Sequence, residues 1–195
     1  EEAGAVLDHA LATLDSDVFR RDGLRGDRQR YLLLDRPTPD LPAGLAHGEF
    51  NGLDAYRGKV VLLEFTAHWC HACHKAIPGL IALQESLAGE DFAILAVTTF
   101  YGFFQSEHQR TRDMPREQEF ARMPALLKKQ GATWPMVYVE RNTFQNYGVT
   151  GIPQFMVIDK TGVIRAIDTG YSEDKFQRLK ARIQDDMKAA MRAKD

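Results

Sequence analysis

Val60-Val61-Leu62-Leu63-Glu64-Phe65 is an apolar run without alternation, and it leads into Trp69-Cys70-His71-Ala72-Cys73, which holds the only two cysteines of the chain. An unbroken apolar run of this length reads as a strand covered on both faces, as in sheets flanked by helices. Two thiols in a Cys-x-x-Cys spacing just beyond such a strand are placed for a redox disulfide. The same spacing also serves a buried structural pair, so the rest of the chain has to decide between them.

Composition narrows the class. A chain of 195 residues with 44% hydrophobic content and 8 prolines suits one ordered domain with some elaboration. A formal charge of −2 gives no footing for nucleic acid or an anionic membrane surface as partner. Two cysteines cannot staple a disulfide-rich secreted scaffold. No stretch reaches the roughly 18 apolar residues that a membrane span needs. The opening Glu1-Glu2 reads as a processed or excised form, which leaves a leader or anchor in the full-length protein open.

Periodicity gives the element order. Val6, Leu7, Ala10, Leu11, Leu14 and Val18 share one helical face. The charged stretch Arg20 to Arg30 reads as a solvated linker or face, Tyr31 to Leu34 as a short strand, and Arg36 to Gly58 as loop with a turn around Leu53 to Tyr56. A helix is expected from Cys70 to Leu87, a buried strand over Phe92 to Thr98, and a surface loop over Thr99 to Arg116 whose Tyr101, Phe103 and Phe104 go mainly into the core. Gln118 to Lys129 reads as a helix interrupted near Pro124, and Met136 to Val139 as a strand. Phe155 to Ile158 and Val163 to Ile167 flank the turn Asp159-Lys160-Thr161-Gly162, and Ser172 to Lys188 closes as an amphipathic helix. Strands separated by helices and ended by a hairpin predict an α/β fold with a mixed central sheet between helices. The expected division is an N-terminal helix and extension over residues 1–43 and the main domain over 44–195.

Chemistry assigns the thiols. At the first turn of the following helix, free backbone donors and the helix dipole favour a Cys70 thiolate. Cys70 is then the exposed attacking sulfur, and Cys73, one turn inside, is the shielded one that resolves the mixed disulfide. His71 can add positive charge beside Cys70, and the two residues between the cysteines tune the poise. Glu64 stands six residues before Cys70 in an otherwise apolar strand, where a carboxylate is costly without a role or partner. The plainer reading of Glu64 is an edge-facing carboxylate paired with Lys59 or another base.

The chain resembles the thioredoxin superfamily, and within it the extracytoplasmic thiol–disulfide oxidoreductases related to cytochrome-maturation reductases. The likeness runs from Gly58-Lys59-Val60 through Trp69-Cys70-His71-Ala72-Cys73 to Gly148-Val149-Thr150-Gly151-Ile152-Pro153 and the hairpin with Asp159 and Gly162. It implies a thioredoxin fold with an N-terminal extension and an insertion after the second core strand. It also implies that Trp69 packs beside the reactive sulfur, that Pro78 kinks the active-site helix, and that Pro153 is cis and faces the disulfide. By the same likeness Glu64 takes the place of an aspartate that moves the proton of the buried thiol. The catalytic set is therefore Cys70, Cys73 and Glu64, and the substrate-binding set Trp69, His71, Ile152 and Pro153.

The implied activity is thiol–disulfide exchange, more in the reducing direction, on disulfide-containing proteins outside the cytoplasm. A thiol–disulfide carrier, membrane-bound in one version, would reset the dithiol, and membrane contact would come only through an anchor outside this sequence. No organic cofactor is implied and no metal site is assigned, although His68, His71 and His74 with the two cysteines place five ligand types in seven residues. His74 reads as a solvated helix residue and His68 as lining the approach to Cys70. A disulfide oxidase or isomerase, and a copper-handling or metallochaperone-associated protein, stand as alternatives. Thr66 and Cys70 match the spacing of a peroxidatic motif, but Leu62 occupies the position of its proline, which speaks against peroxidase as the main activity.

Overall fold

The computed structural model of the protein describes residues 5, 6, 18–105 and 110–192. The stripe Leu7, Ala10, Leu11 and Leu14, expected as a leading helix, lies outside the described residues. Eight strands are present among them: β1 (Ala46–His47), β2 (Val60–Phe65), β3 (Phe92–Thr98), β4 (Phe104–Gln105), β5 (Arg110–Thr111), β6 (Met136–Tyr138), β7 (Gln154–Ile158) and β8 (Ile164–Thr169). Five α-helices accompany them: α1 (Val18–Leu33), α2 (His71–Ser86), α3 (Arg116–Gln130), α4 (Arg141–Asn146) and α5 (Glu173–Arg192).

Six of the strands form one mixed sheet in the order β1-β6-β3-β2-β7-β8. Strand β2 pairs parallel with β3 and antiparallel with β7, so both of its edges are used. That is why its sequence is apolar on both faces. Val60 and Leu62 face α2, α3 and α5 through Ala76, Leu80, Leu83, Met123, Leu127, Phe176 and Leu179. Val61, Leu63 and Phe65 face Leu33, Leu41, Phe50 and Tyr147 on the other side. Helices covering both faces of a mixed sheet agree with the expected architecture.

Two local expectations are corrected. Tyr31 to Leu34 is not a strand: residues through Leu33 continue α1, and the helix ends where Asp35 adopts φ 57°. Four apolar residues are too few for periodicity to separate strand from helix, and here Leu33 alone of the four is buried. Nor is the charged stretch before it only a solvated face. Arg30 Nη1 donates to the Gly148 carbonyl at 2.6 Å and to Thr150 Oγ1 at 3.0 Å, and Gln29 Nε2 donates to the Asn146 carbonyl at 2.9 Å. Gly26 is buried against Thr150, where a Cβ would fall 2.1 Å from its methyl group. Helix α1 is thereby docked on the turn that precedes β7.

The loop after β3 carries a short ribbon, with Phe104 opposite Thr111 and Gln105 opposite Arg110. Pro124 sits inside α3 and Pro78 inside α2, and both helices continue past them. Helix α4 was not anticipated. Its six residues RNTFQN have no apolar period long enough to announce it.

Gly26→Leu is expected to lose about 1–3 kcal/mol in a urea titration, because no room exists for the side chain. Hydrogen exchange should rise at residues 148–154 in the same variant. Unchanged stability and exchange would mean that α1 does not brace this turn.

Candidate active site

Strand β2 ends at Phe65, and five residues later the chain enters α2. Cys70 is the N-cap of that helix, with extended backbone angles, and its Sγ accepts from the Cys73 N–H at 3.1 Å. The sulfur thus occupies the place where a capping oxygen ordinarily meets an orphan donor. Negative charge on that sulfur is favoured by the same N–H and by the helix dipole. Cys70 and Cys73 are joined in a disulfide. Cys70 is 5% exposed and Cys73 1%, so the order of accessibility is as expected, but Cys70 is more covered than the term exposed allows. Ala67, Ala72, Tyr101 and Ile152 pack around the pair.

Opposite lies the Ile152–Pro153 peptide, which is cis. Phe65 is paired with Gln154, the residue after Pro153, so the sheet register itself carries this turn to the level of the cysteine loop. Pro153 is buried and Ile152 half-buried against the cysteine cluster. Trp69 is 37% exposed and stands edge-on to Tyr101 at 5.3 Å. His71 opens α2 and is exposed. The structure therefore brings six of the seven proposed site residues (Trp69, Cys70, His71, Cys73, Ile152 and Pro153) around one disulfide.

Glu64, the seventh, is beneath them. It is 2% exposed and sits between Ala96 of β3 and Phe155 of β7, on the face of β2 that carries Val60 and Leu62 toward α2. A central strand has no edge, so the pairing with Lys59 does not arise. The Thr66 side chain hydrogen-bonds to the carboxylate and favours its charge, but burial dominates and pushes the pKa up to about 8.

The insertion after β3 supplies groups that were not anticipated in these roles. Glu119 of α3 is buried, accepts from the Tyr101 N–H at 3.0 and 3.1 Å and from the Gly102 N–H at 2.9 Å, and lies 3.7 Å from His68 Nε2. His68 borders an open groove beside Trp69 and His71 but is otherwise covered. It is buried, stacked on Phe104 at 4.7 Å, with Nδ1 accepting from the Gln105 N–H at 3.3 Å. Burial pulls its pKa down to about 4, so the ring is neutral at physiological pH. A signal for Glu119 did exist: it falls four and eight residues before Met123 and Leu127, in line with the buried stripe of α3. Phe104 joins the core, whereas Tyr101 and Phe103 are only half-buried beside Trp69, with the Arg110 guanidinium 4.0 Å from the Phe103 ring centre. His74 is half-buried rather than solvated and borders a small, partly open pocket that Glu64 also lines. His68 and His74 border the same pocket while His71 is exposed, and among the described residues no group of three His, Cys, Asp or Glu side chains is placed to hold a metal ion.

Comparison with known proteins agrees with this geometry. Residues 35–167 match the family model described as the AhpC/TSA family. The chain is 30% identical over 147 residues to the thiol-disulfide oxidoreductase ResA of Geobacillus thermodenitrificans, an alignment spanning 74% of this chain and 75% of that protein. It is 29% identical over 133 residues to the thioredoxin-like protein YneN of Bacillus subtilis, spanning 68% and 69% respectively. The solved thioredoxin domain of a thiol-disulfide oxidoreductase from Bacteroides vulgatus superposes with a TM-score of 0.59 at 19% identity, over 77% of this chain and 97% of that one. That last likeness shows the fold alone, and the fold is that of thioredoxin.

The raised pKa of Glu64 makes stability depend on pH. The folded protein keeps this proton up to about pH 8, while an unfolded glutamate releases it near 4.5. The folded state thus binds more protons in that window, and stability contributed by Glu64 falls as pH rises through it, by up to about 1.4 kcal/mol per pH unit. His68 acts in the opposite sense between about 4 and 6.5, because there the unfolded state binds the extra proton. Glu64→Gln should therefore gain stability over the parent progressively from pH 4.5 to 8, measured as the difference between two denaturation series. A constant difference would mean that Glu64 titrates normally.

Proposed function

The chain belongs to the AhpC/TSA family and is a thiol–disulfide oxidoreductase of thioredoxin fold, and on that premise we propose that it works as a reductase of disulfide-bonded proteins outside the cytoplasm. The observation that carries this reading is the Cys70 sulfur capping α2 while it shares one buried cluster with Cys73 and Ile152. Its substrates contain disulfides, and its dithiol is restored by a second thiol carrier, which we place at the membrane. Among the described residues no helix is long and apolar enough to cross a membrane. In the same reading residues 44–195 form the oxidoreductase domain, and residues 1–43 are an extension whose helix α1 steadies the turn before Pro153.

The exchange has two displacements. The Cys70 thiolate attacks one sulfur of the substrate disulfide; a Cys70–substrate S–S bond forms and the other substrate sulfur leaves as thiolate. Once Glu64 is ionised it takes the Cys73 proton, and the Cys73 thiolate attacks the Cys70 sulfur. The second substrate thiolate leaves, and the enzyme carries the Cys70–Cys73 disulfide. Two electrons have passed from the enzyme dithiol to the substrate. Trp69 and the half-buried Ile152 flank the attacked sulfur and would hold an extended partner segment, with His71 at its side. A proline at position 153 offers no N–H of its own to compete with that segment.

Position 71 supports a second direction. A protonated imidazole at the first residue of α2 would stabilise the Cys70 thiolate and make the couple more oxidising. Equilibration of Cys70–Cys73 in glutathione buffers separates the two. A potential near about −270 mV or lower supports the reductase, whereas one near about −120 mV overturns it in favour of an oxidase.

Cys70→Ser should abolish turnover of a disulfide substrate. Cys73→Ser should accumulate a covalent mixed disulfide visible by mass under non-reducing conditions; a folded Cys73→Ser protein that traps nothing would remove its resolving role. Glu64→Gln should slow resolution by about 100-fold, the lower end of general-base contributions, while leaving alkylation of Cys70 unchanged.

A further inference from the structure

The segment Phe100 to Phe104 after β3 carries four aromatic side chains, and an arginine from another element lies against each of them. The guanidinium of Arg116 in α3 is 5.3 Å from the Phe100 ring centre, and that of Arg141 in α4 is 5.9 Å from Tyr101. Arg110 of β5 is 4.0 Å from Phe103, and Arg122 of α3 is 6.0 Å from Phe104. All four distances are within reach of a cation–π contact. The rings lead to the disulfide. Tyr101 packs against the cysteine pair, and Trp69 stands 5.3 Å from Tyr101 and 6.5 Å from Phe103. Arg141 and Arg110 are thus one ring removed from Trp69, the residue before Cys70.

The four arginines differ in what else they bind. Arg116 is held by Glu140 through contacts of 2.8 and 3.2 Å. Arg110, Arg122 and Arg141 are exposed, and among the described residues none of them forms an ion pair with a carboxylate. Arg122 donates to Thr111 Oγ1 at 3.3 Å, which ties it to the ribbon. A guanidinium against a ring keeps N–H groups at its edge, in the planar fork that suits the two oxygens of a carboxylate. An open groove of about 540 Å³ adjoins them, lined by Trp69, His71, Phe104, Arg122 and Lys129 among others, and no residue of its lining is acidic. From Arg122 to Lys129 is about 10 Å of helix, the length of about three residues of extended chain. The whole chain has a formal charge of −2, so this gathering of cations is local.

We propose that this arginine rim and the groove beside it dock an extended, acidic segment of the disulfide-bonded partner protein, next to the cysteine that Cys70 attacks. This rests on the reading of the chain as a reductase of disulfide-bonded proteins, and it adds the class of partner. Carboxylates of the segment meet Arg110 and Arg141 beside Trp69 and Arg122 in the groove, while its backbone runs along α3. A lysine-rich segment meets like charge there and is rejected. Charges at an exposed rim act mainly by speeding encounter and fixing register. The three arginines touch neither reacting sulfur; they are specificity-determining residues, and the exchange itself is the one described above.

The test uses the intact, pre-reduced chain and three peptides of equal length. Each is closed by one disulfide, and they differ only in whether the flanking residues are glutamate, glutamine or lysine. Second-order rates of reduction should fall in that order at low ionic strength, with the glutamate peptide about tenfold faster than the lysine peptide. In about 1 M salt, where the screening length is about 3 Å, the ratio should drop below about twofold. Arg110→Gln, Arg122→Gln and Arg141→Gln together should bring the ratio close to one at any salt, and because a ratio is read, a general loss of activity cancels. Should that triple variant not fold, the salt series of the parent and the single Arg141→Gln, with a reduced ratio expected, decide instead. Equal rates for the three peptides, or a faster lysine peptide, overturn the docking rim and leave the reductase reading standing. A preference that survives in the folded variant lies elsewhere and also overturns it. If oxidised glutathione, and not the glutamate peptide, depends on the three arginines, the occupant is a small anionic disulfide and the proposal falls. If no peptide is reduced at either salt, the reductase reading fails first and takes the rim with it.

Discussion

The pairing of β2 on both edges is the constraint on which the site depends. With β3 on one side and β7 on the other, the backbone of Val60–Phe65 is committed to the ladder and cannot shift without exchanging its two apolar faces. From that fixed strand the chain has five residues to reach α2, which sets Cys70 at the helix N-terminus. The same register places Gln154 against Phe65 and so carries the Ile152–Pro153 peptide to the disulfide. Helix α1 then presses on the turn before it through Gly26 and Arg30. Cys70, Cys73 and the facing proline are thus one consequence of one strand position.

Around this frame the protein accepts unfavourable electrostatics. Glu64 is buried where a leucine would pack, and His68 and Glu119 are buried together under the insertion. Glu119 offsets part of its cost by accepting three backbone contacts from Tyr101 and Gly102, which also shapes the loop that carries Tyr101 and Phe103 to Trp69. Burial raises the pKa of both acids, and backbone N–H groups pull Glu119 back down, whereas Glu64 has only the Thr66 side chain and rises to about 8.

Much of this was legible before any coordinates. Strands β2 and β3 fall on the apolar runs, because a continuous apolar stretch of six or seven residues leaves little choice of conformation or environment. Helix α2 begins within one residue of its expected start, and the hairpin forms around the expected turn, where the Asp159 side chain accepts from the Thr161 and Val163 N–H groups. Short or polar segments were less legible. Leu33 is buried among exposed neighbours, which no local pattern announces, so the end of α1 read as a strand. The aromatic run Tyr101–Phe104 divides between core and site according to where α3 and β5 lie, information absent from four adjacent residues.

By itself the sequence determined the dithiol, its strand-to-helix setting and the presence of an acid in an apolar strand, because each depends on residues adjacent in the chain. Only the tertiary structure decided where the histidines point and which buried carboxylate stays without backbone donors. His68, His71 and His74 look equivalent in a seven-residue window, yet one is stacked under the insertion, one stands in solvent and one is half-buried beside the first. The protonation of His68 depends on desolvation and on backbone partners from the insertion. His68 and these partners come together only when the sheet closes around β2.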